Sequence, residues 1–441
     1  MSEYTRPNST KEYHENFEQI KPLMNPTMAH YESSRCLYCY DAPCVQACPT
    51  GIDIPLFIRQ INTDNADGAA ETIYASNYFG NACGKVCPTE VLCEGACVYN
   101  HQDVKPIEIG RLQSFATTQA MKKGLEIKKL AAANGKKIAV IGAGPAGVSA
   151  ACELRSEGYE VDIFEAKGHP SGLTLYGVAP YKITNQEILD EMKYLQEQFG
   201  FQVHYNHPIK TKEDLKGLEE KYDAIFLGIG LGLTRSLGMQ GEDLENSFGA
   251  TEFIEMLKVD PLGTFVGKRV VVIGGGNTAM DAASESARMG AGFVVLAYRR
   301  AKENLRAYEF EYDLAKAVGV KGMFNVSPVA ILGDGKVQAI RFAQTTTKDG
   351  LLVTVPDSEF DIPCDMVIRA TGQSKQANFL EMIDGLELDS RDRINVNPTT
   401  FQTTNAKYFA SGDAVNGGAE VVNACGEAKK AAKGIHAFLQ G

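Results

Sequence analysis

The chain has 441 residues, with 44 Lys and Arg against 55 Asp and Glu and a net charge of -11. That balance argues against nucleic acid or an anionic membrane surface as the main partner, because both attract basic faces. With 44% hydrophobic and 22% charged residues it is ordinary globular material for two or three domains, with no apolar run of membrane length and no signal-peptide core, so a soluble cytoplasmic protein is expected.

Residues 1–132 carry eight of the eleven cysteines, between Cys36 and Cys97. A disulfide scaffold would be shorter and would not precede a long cysteine-poor chain, so metal binding is expected in a reducing compartment. The first group reads Cys36-x2-Cys39-x4-Cys44-x3-Cys48-Pro49 and the second Cys83-x3-Cys87-Pro88-x4-Cys93-x3-Cys97. The first is close to the ferredoxin run, whose fourth cysteine serves the other cluster, and two such groups point to two [4Fe–4S] clusters. Zinc is the competing metal, but its structural sites use separated Cys pairs rather than dense runs ending in Cys-Pro. Counting residues alone gives Cys83 to the second cluster. Stretches such as IPLFIRQI and GAAETIYAS read as helices, and no alternating strand is visible here. MKKGLEIKKLAAANGKK reads as a solvated linker, and the scattered Cys152, Cys364 and Cys425 as small buried residues.

From Lys137 the texture becomes strand, glycine turn, helix, strand, which predicts an α/β fold with parallel sheets. KKIAVI leads into Gly142-Ala143-Gly144-Pro145-Ala146-Gly147 and the helical run VSAACELRSEG. These glycines permit a tight turn and bring backbone N–H groups to a pyrophosphate at a helix N-terminus. The next strand, YEVDIFE, ends in Glu165, a carboxylate suited to a free ribose 2′-OH. The site is read as FAD-binding, over 133–250.

The pattern restarts over 251–372, where KRVVVI precedes Gly274-Gly275-Gly276-Asn277-Thr278-Ala279. The following strand, FVVLAYRR, ends in Arg299 and Arg300, with Arg306 close behind. Guanidinium groups there suit a 2′-phosphate, which favours NADPH and leaves NADH open; a solvated basic strand end is the plain alternative. DMVIRATG is a strand from which the chain could return to the first unit, and YFASGDAV sets Gly412 and Asp413 before the helical run EVVNACGEAKKAAKGI, so 373–441 closes the FAD domain. The seven histidines show no ligand-like pairing, and His204 and His207 read as a strand-end loop. A nicotinamide gives up two electrons together and a cluster takes one, so a flavin between them is the natural converter, and no acid–base or nucleophilic catalytic residue is required.

CLYCYDAPCVQACPTGIDIPLFI, CGKVCPTEVLCEGAC and PIEIGRLQSFAT closely resemble the amino-terminal half of dihydropyrimidine dehydrogenase, which in bacteria is a separate PreT-type subunit, related also to the glutamate synthase small subunit. The resemblance runs from about Ser34 to the end. It implies an α-helical double [4Fe–4S] domain followed by two Rossmann-like domains, the second inserted in the first. It also implies one cluster on Cys36, Cys39, Cys44 and Cys97 and another on Cys48, Cys87, Cys93 and the amide of Gln113, with Cys83 spare. Flavin contacts would include the Gly142–Gly147 loop, Glu165, Leu173, Lys182, Gly412 and Asp413. Ser171 and Lys182 depart from the family pattern, where a glycine and an arginine are usual.

The resemblance further implies an electron-input subunit for pyrimidine catabolism, which oxidises NAD(P)H and feeds an FMN- and iron–sulfur-containing PreA-type catalytic chain that reduces uracil or thymine. The spacing Cys87-x5-Cys93-x3-Cys97 favours this branch over glutamate synthase small subunits, which carry a tighter Cys-x3-Cys-x3-Cys. NAD(P)H:ferredoxin oxidoreductase-like proteins share the wider spacing, so feeding glutamate synthase or a ferredoxin is the alternative activity. A zinc-stapled nucleotide-binding interaction module is the non-enzymatic one.

Overall fold

A computed structural model describes residues 3–441. The chain divides into two compact units: residues up to 19 with 176–181 and 232–374, and 20–175 with 182–231 and 375–441.

The second of these opens with helices alone, at Pro26–Ser34, Pro43–Ala47, Ile54–Asn62, Ala66–Ser76, Gly80–Val86 and Ile109–Lys123. Local chemistry sets several starts: Asn25, Asp53 and Asn65 side chains accept the N–H groups of Met28, Leu56 and Gly68, and Pro26 and Pro55 occupy first-turn positions that need no donor. Ile54, Phe57, Ile58 and Ile61 recur at helical spacing and pack with Ile73, Ile109 and Leu112. Cys36, Cys44, Cys48, Cys93 and Cys97 line the margin of that core. Gly84 and Gly110 let two helices touch, since a Cβ on Gly84 would lie 2.7 Å from the Gly110 carbonyl oxygen. That approach holds the helix bearing Gln113 against the one bearing Cys83.

A parallel sheet follows in the same unit, in the order Tyr408–Ala410, Ala224–Leu227, Lys137–Ile141, Glu160–Phe164, Gln202–His204. Its central strands are continuous apolar runs, as burial on both faces requires. The helices Pro145–Ser156 and Val421–Gln440 pack along one another, so the last segment of the chain completes the first nucleotide fold. His204 sits at the end of its strand with Nε2 2.9 Å from Asp162, a structural pairing. The expected linker is divided: Met121, Lys122 and Lys123 finish a helix closed by left-handed Gly124, and the stretch beyond is largely exposed.

The other unit holds a second parallel sheet, ordered Ser247–Gly249, Met366–Arg369, Arg269–Ile273, Phe293–Tyr298, Lys321–Phe324. An antiparallel sheet of Val326–Leu332, Ala339–Lys348, Leu351–Thr354 and Phe360–Pro363 adjoins it in sequence, a feature absent from the sequence reading. The chain enters and leaves side by side, with Gly232 N–H donating to the Ser374 carbonyl at 2.9 Å. Residues up to 19 belong to this unit and not with the cysteine-bearing helices that follow them in sequence. The Arg6 guanidinium donates to the carbonyls of Leu262 and Thr264, and the Asn16 amide to that of Arg288.

Candidate functional site

Three sets of residues define the site, and the cysteines form two of its cavities. The first is lined by Cys36, Cys39, Cys44 and Cys97 with Ile54, Ile58, Ile107 and Ile109. Cys36 and Cys39 flank a turn in which Tyr38 takes a left-handed φ of 51°. Pro43 starts the short helix carrying Cys44, and Cys97 stands before the 3-10 turn Val98–Gln102. Burial pushes the Cys44 thiol up to about 12, and raises Cys36 as well, partly opposed by the Tyr38 N–H.

The second cavity is lined by Cys48, Cys83, Cys87 and Cys93 together with Gln113 and Asn77. Cys48 and Cys87 each terminate a short helix in extended backbone, and each is followed by proline. Gln113 is buried, and its Nε2 donates to the Gly80 carbonyl at 2.6 Å. With the amide nitrogen engaged there, the oxygen is the end left to act as a ligand. Cys83 lines the same cavity, so the residue-count candidate and the one implied by resemblance are brought together. The thiols line walls instead of meeting at one point: among the described residues, no group of three or more His, Cys, Asp or Glu converges to hold a single metal ion. Soft sulfur donors in apolar surroundings, plus one buried amide N–H without a partner (Asn77 Nδ2), fit an iron–sulfur group.

The third set surrounds the first glycine loop. Gly142 has a φ of +99°, and a Cβ there would stand 2.5 Å from the Gly228 oxygen. At Gly147 a Cβ would meet the Gly142 oxygen at 1.9 Å, so the helix can start only this close to the strand with glycine. The Glu165 carboxylate is held by the N–H groups of Ala143 and Lys167, both at 2.8 Å. Ser171 N–H donates to the Ala143 carbonyl at 2.7 Å, and Gly172 approaches Gly144 closely. Leu173, 38% exposed, opens the short helix Leu173–Tyr176, and Lys182 is buried. Ser171 Oγ, Thr174 Oγ1 and Ser411 Oγ are buried without hydrogen-bond partners, polar atoms that fit a bound polar group.

Gly412 (φ 72°) and Asp413 begin a short turn of helix, and burial raises the Asp413 carboxyl above its ordinary value. Glu427 was not anticipated from sequence. Its carboxylate accepts Gly412 N–H at 2.9 Å and the Asn416 amide at 3.2 Å, fixing the turn from the C-terminal helix. Only its spacing from the Gly-Asp pair could have suggested it.

The second glycine loop lies in the other unit. Gly274 has φ +152°, Gly275 leaves room for the Tyr298 ring, and Gly276 caps the helix Asn277–Arg288. The Gly275 carbonyl accepts the N–H groups of Arg306 and Ala307, and the Asn277 side chain accepts that of Tyr308. Thr278 is exposed and Ala279 buried. Arg299 and Arg300 are exposed just past the end of the strand Phe293–Tyr298, and Arg306, also exposed, is tied to the loop by its N–H on the Gly275 carbonyl.

Residues 13–125 match the family described as dihydropyrimidine dehydrogenase domain II, 4Fe-4S cluster, and residues 136–428 match the pyridine nucleotide-disulphide oxidoreductase family. The chain is 33% identical to the NAD-dependent dihydropyrimidine dehydrogenase subunit PreT of Escherichia coli O157:H7, over 96% of this chain and 97% of that protein. It is 32% identical to the glutamate synthase [NADPH] small chain of Escherichia coli K12, over 96% and 94%. Among solved structures, FprA from Mycobacterium tuberculosis superposes with a TM-score of 0.58 at 21% identity, covering 69% of this chain and 85% of that one, a likeness of fold alone.

Proposed function

Because the chain belongs to the family of the PreT subunits and glutamate synthase small chains, NAD(P)H-dependent oxidoreductases that join a 4Fe-4S domain to a pyridine nucleotide-disulphide oxidoreductase fold, we propose that it is the electron-input subunit of a cytoplasmic dihydropyrimidine dehydrogenase. It oxidises NAD(P)H and delivers single electrons through two [4Fe–4S] clusters to an FMN-containing PreA-type partner, which reduces uracil or thymine to the 5,6-dihydropyrimidine. The observation that carries this reading is the presence of two thiol-lined cavities in the same compact unit as the first glycine loop. No helix among the described residues is long and apolar enough to cross a membrane.

Cys36, Cys39, Cys44 and Cys97 would hold one cluster, and Cys48, Cys87, Cys93 and Gln113 the other. Bound FAD supplies the conversion between a hydride's two electrons and the single-electron steps that clusters accept. The chain's own contribution is placement. Gly142, Ala143, Gly144, Pro145, Ala146 and Gly147 offer backbone to a pyrophosphate, Glu165 offers an acceptor to ribose, and Glu427 holds the Gly412–Asp413 turn in position. Gly274, Gly276, Asn277, Thr278 and Ala279 form the matching nicotinamide-nucleotide loop. The mainly apolar walls around the thiols would give a bound cluster a low-polarity setting, which tunes its potential.

Arg299, Arg300 and Arg306 favour NADPH. Replacing Arg299 and Arg300 by Ala should raise the KM for NADPH by at least tenfold and leave that for NADH nearly unchanged, since each charge-assisted bond to phosphate contributes on the order of 1.5–3 kcal/mol. Equal losses for the two nucleotides would remove the 2′-phosphate assignment. The function itself is tested by an anaerobic pull-down of the tagged chain, assayed for uracil-dependent NAD(P)H oxidation. Activity with a co-purifying flavoprotein supports the pyrimidine branch. Oxidation with glutamine and 2-oxoglutarate, or with ferredoxin, and none with uracil would overturn it. The glutamate synthase reading has near-equal sequence identity in its favour, and the five-residue gap between Cys87 and Cys93 against it.

A further inference from the structure

Asn77 is a residue no sequence motif singled out, and its surroundings are unusual. It closes the helix Ala66–Ser76, where its own N–H donates to the Ile73 carbonyl at 2.9 Å. Its side-chain oxygen accepts the Phe79 N–H at 3.0 Å, which fixes which end of the amide is nitrogen. Tyr78 and Phe79, both 1% exposed, hold the segment from the other side, and the Tyr78 hydroxyl is tied to Glu153 at 2.5 Å. The side chain therefore has little freedom to turn.

The nitrogen end is different. Asn77 is fully buried at 0% exposure, lines the second thiol cavity, and its Nδ2 has no hydrogen-bond partner. Buried amide N–H groups are rarely left without an acceptor. The walls of this cavity offer sulfur: Cys48, Cys83, Cys87 and Cys93. The unpartnered amide N–H thus lines a cavity whose acceptors are the sulfur atoms that would surround a cluster.

From this geometry we infer that Asn77 is a tuning residue of the second [4Fe–4S] site, donating an N–H to sulfur there and making that cluster easier to reduce. The inference rests on the cavity being a cluster site, as proposed above. A donor to cluster or ligand sulfur stabilises the more negative, reduced state and so raises the reduction potential. It would add to the difference that the Gln113 amide already makes between the two sites: among the residues lining the first cavity there is no Asn or Gln side chain, and its walls are mainly Ile, Leu, Ala, Pro and Val. The second cluster would then be the better acceptor from the nucleotide-reduced side.

The test is redox titration of the holoprotein followed by electron paramagnetic resonance, with iron and labile sulfide measured on the same samples. Asn77→Ser keeps an oxygen able to accept the Phe79 N–H but is too short to reach into the cavity. It should lower the reduction equilibrium constant of one cluster about tenfold, a shift of about 59 mV for a one-electron couple, and leave the other unchanged. Asn77→Asp keeps both size and the Phe79 bond while replacing the donor, and should shift the same cluster further in the same direction. Potentials unchanged in both variants at full iron content would overturn the inference. So would loss of one cluster from both variants, which would make Asn77 structural. Wild-type protein without iron would instead overturn the cluster reading on which the inference stands.

Discussion

At the scale of single residues, the most constrained positions are those where backbone approaches backbone. A methyl group at Gly147 would sit 1.9 Å from the Gly142 oxygen, with no flexible side chain to give way. Gly147→Ala should therefore cost about 1–3 kcal/mol or more in stability and strip the protein of flavin absorbance while the iron content stays. Retention of FAD at wild-type stoichiometry would show that the loop does not approach the cofactor as described. The cysteines and glycines were legible in the sequence because spacing alone identifies them, each being chemically distinctive. Gln113 was legible only through family resemblance. Asn77 and Glu427 were not legible at all: an amide and a carboxylate are common, and what distinguishes these two is a missing partner in one case and a captured backbone N–H in the other.

At the scale of elements, two helices carry functional weight through carboxylates that capture backbone N–H groups. Glu427 on Val421–Gln440 is the acceptor for the Gly412 N–H, and Glu427→Ala would leave that group unpaired at a cost of about 1–3 kcal/mol. The expected result is FAD that washes off on gel filtration from a chain that keeps its iron; tight flavin retention would count against the positioning role. Glu191 on Asn185–Phe199 accepts the N–H groups of Asn81 and Ala82 at 2.6 and 3.0 Å, just ahead of Cys83 in the helix Gly80–Val86. Burial lifts its carboxyl from 4.5 to about 8, partly opposed by those two N–H groups. Below pH 4.5 folded and unfolded chains both hold the proton. As pH rises from there to about 8 the unfolded chain has released it and the folded one has not, so this group's contribution to stability is progressively lost. Thermal midpoints measured from pH 5.5 to 8 should fall with pH, and Glu191→Gln should flatten the slope while starting lower for want of one acceptor. An unchanged slope in the variant would assign the pH dependence elsewhere. Strand and helix positions in the nucleotide folds followed the sequence texture closely, because parallel strands buried on both faces read as unbroken apolar runs. The antiparallel sheet within 326–363 escaped notice because its strands mix exposed polar residues with apolar ones and carry no glycine signature.

At the scale of the whole molecule, the unit that carries the cysteines also carries the flavin loop, so removal of the clusters should destabilise the fold that holds that loop, whereas local loss of flavin leaves the clusters in place. Removing iron with an oxidant and chelator should lower the thermal midpoint of the protein, because metal binding free energy is part of the folding free energy of such domains. The order of folds was legible from the sequence, whereas the attachment of residues up to 19 to the second nucleotide unit was not. It depends on side-chain bonds such as Arg6 to the Leu262 and Thr264 carbonyls, which join positions some 250 residues apart and leave no local pattern.

The central claim is that electrons enter from a nicotinamide nucleotide and leave through iron–sulfur clusters. Its most direct test is to quantify iron, labile sulfide and FAD in the anaerobically purified chain, then add NADPH or NADH and record the electron paramagnetic resonance spectrum. The account predicts about eight irons and one FAD per chain, with nucleotide addition bleaching the flavin and producing the signals of reduced clusters. Zinc in place of iron, or a flavin that bleaches while the clusters stay oxidised, would contradict it.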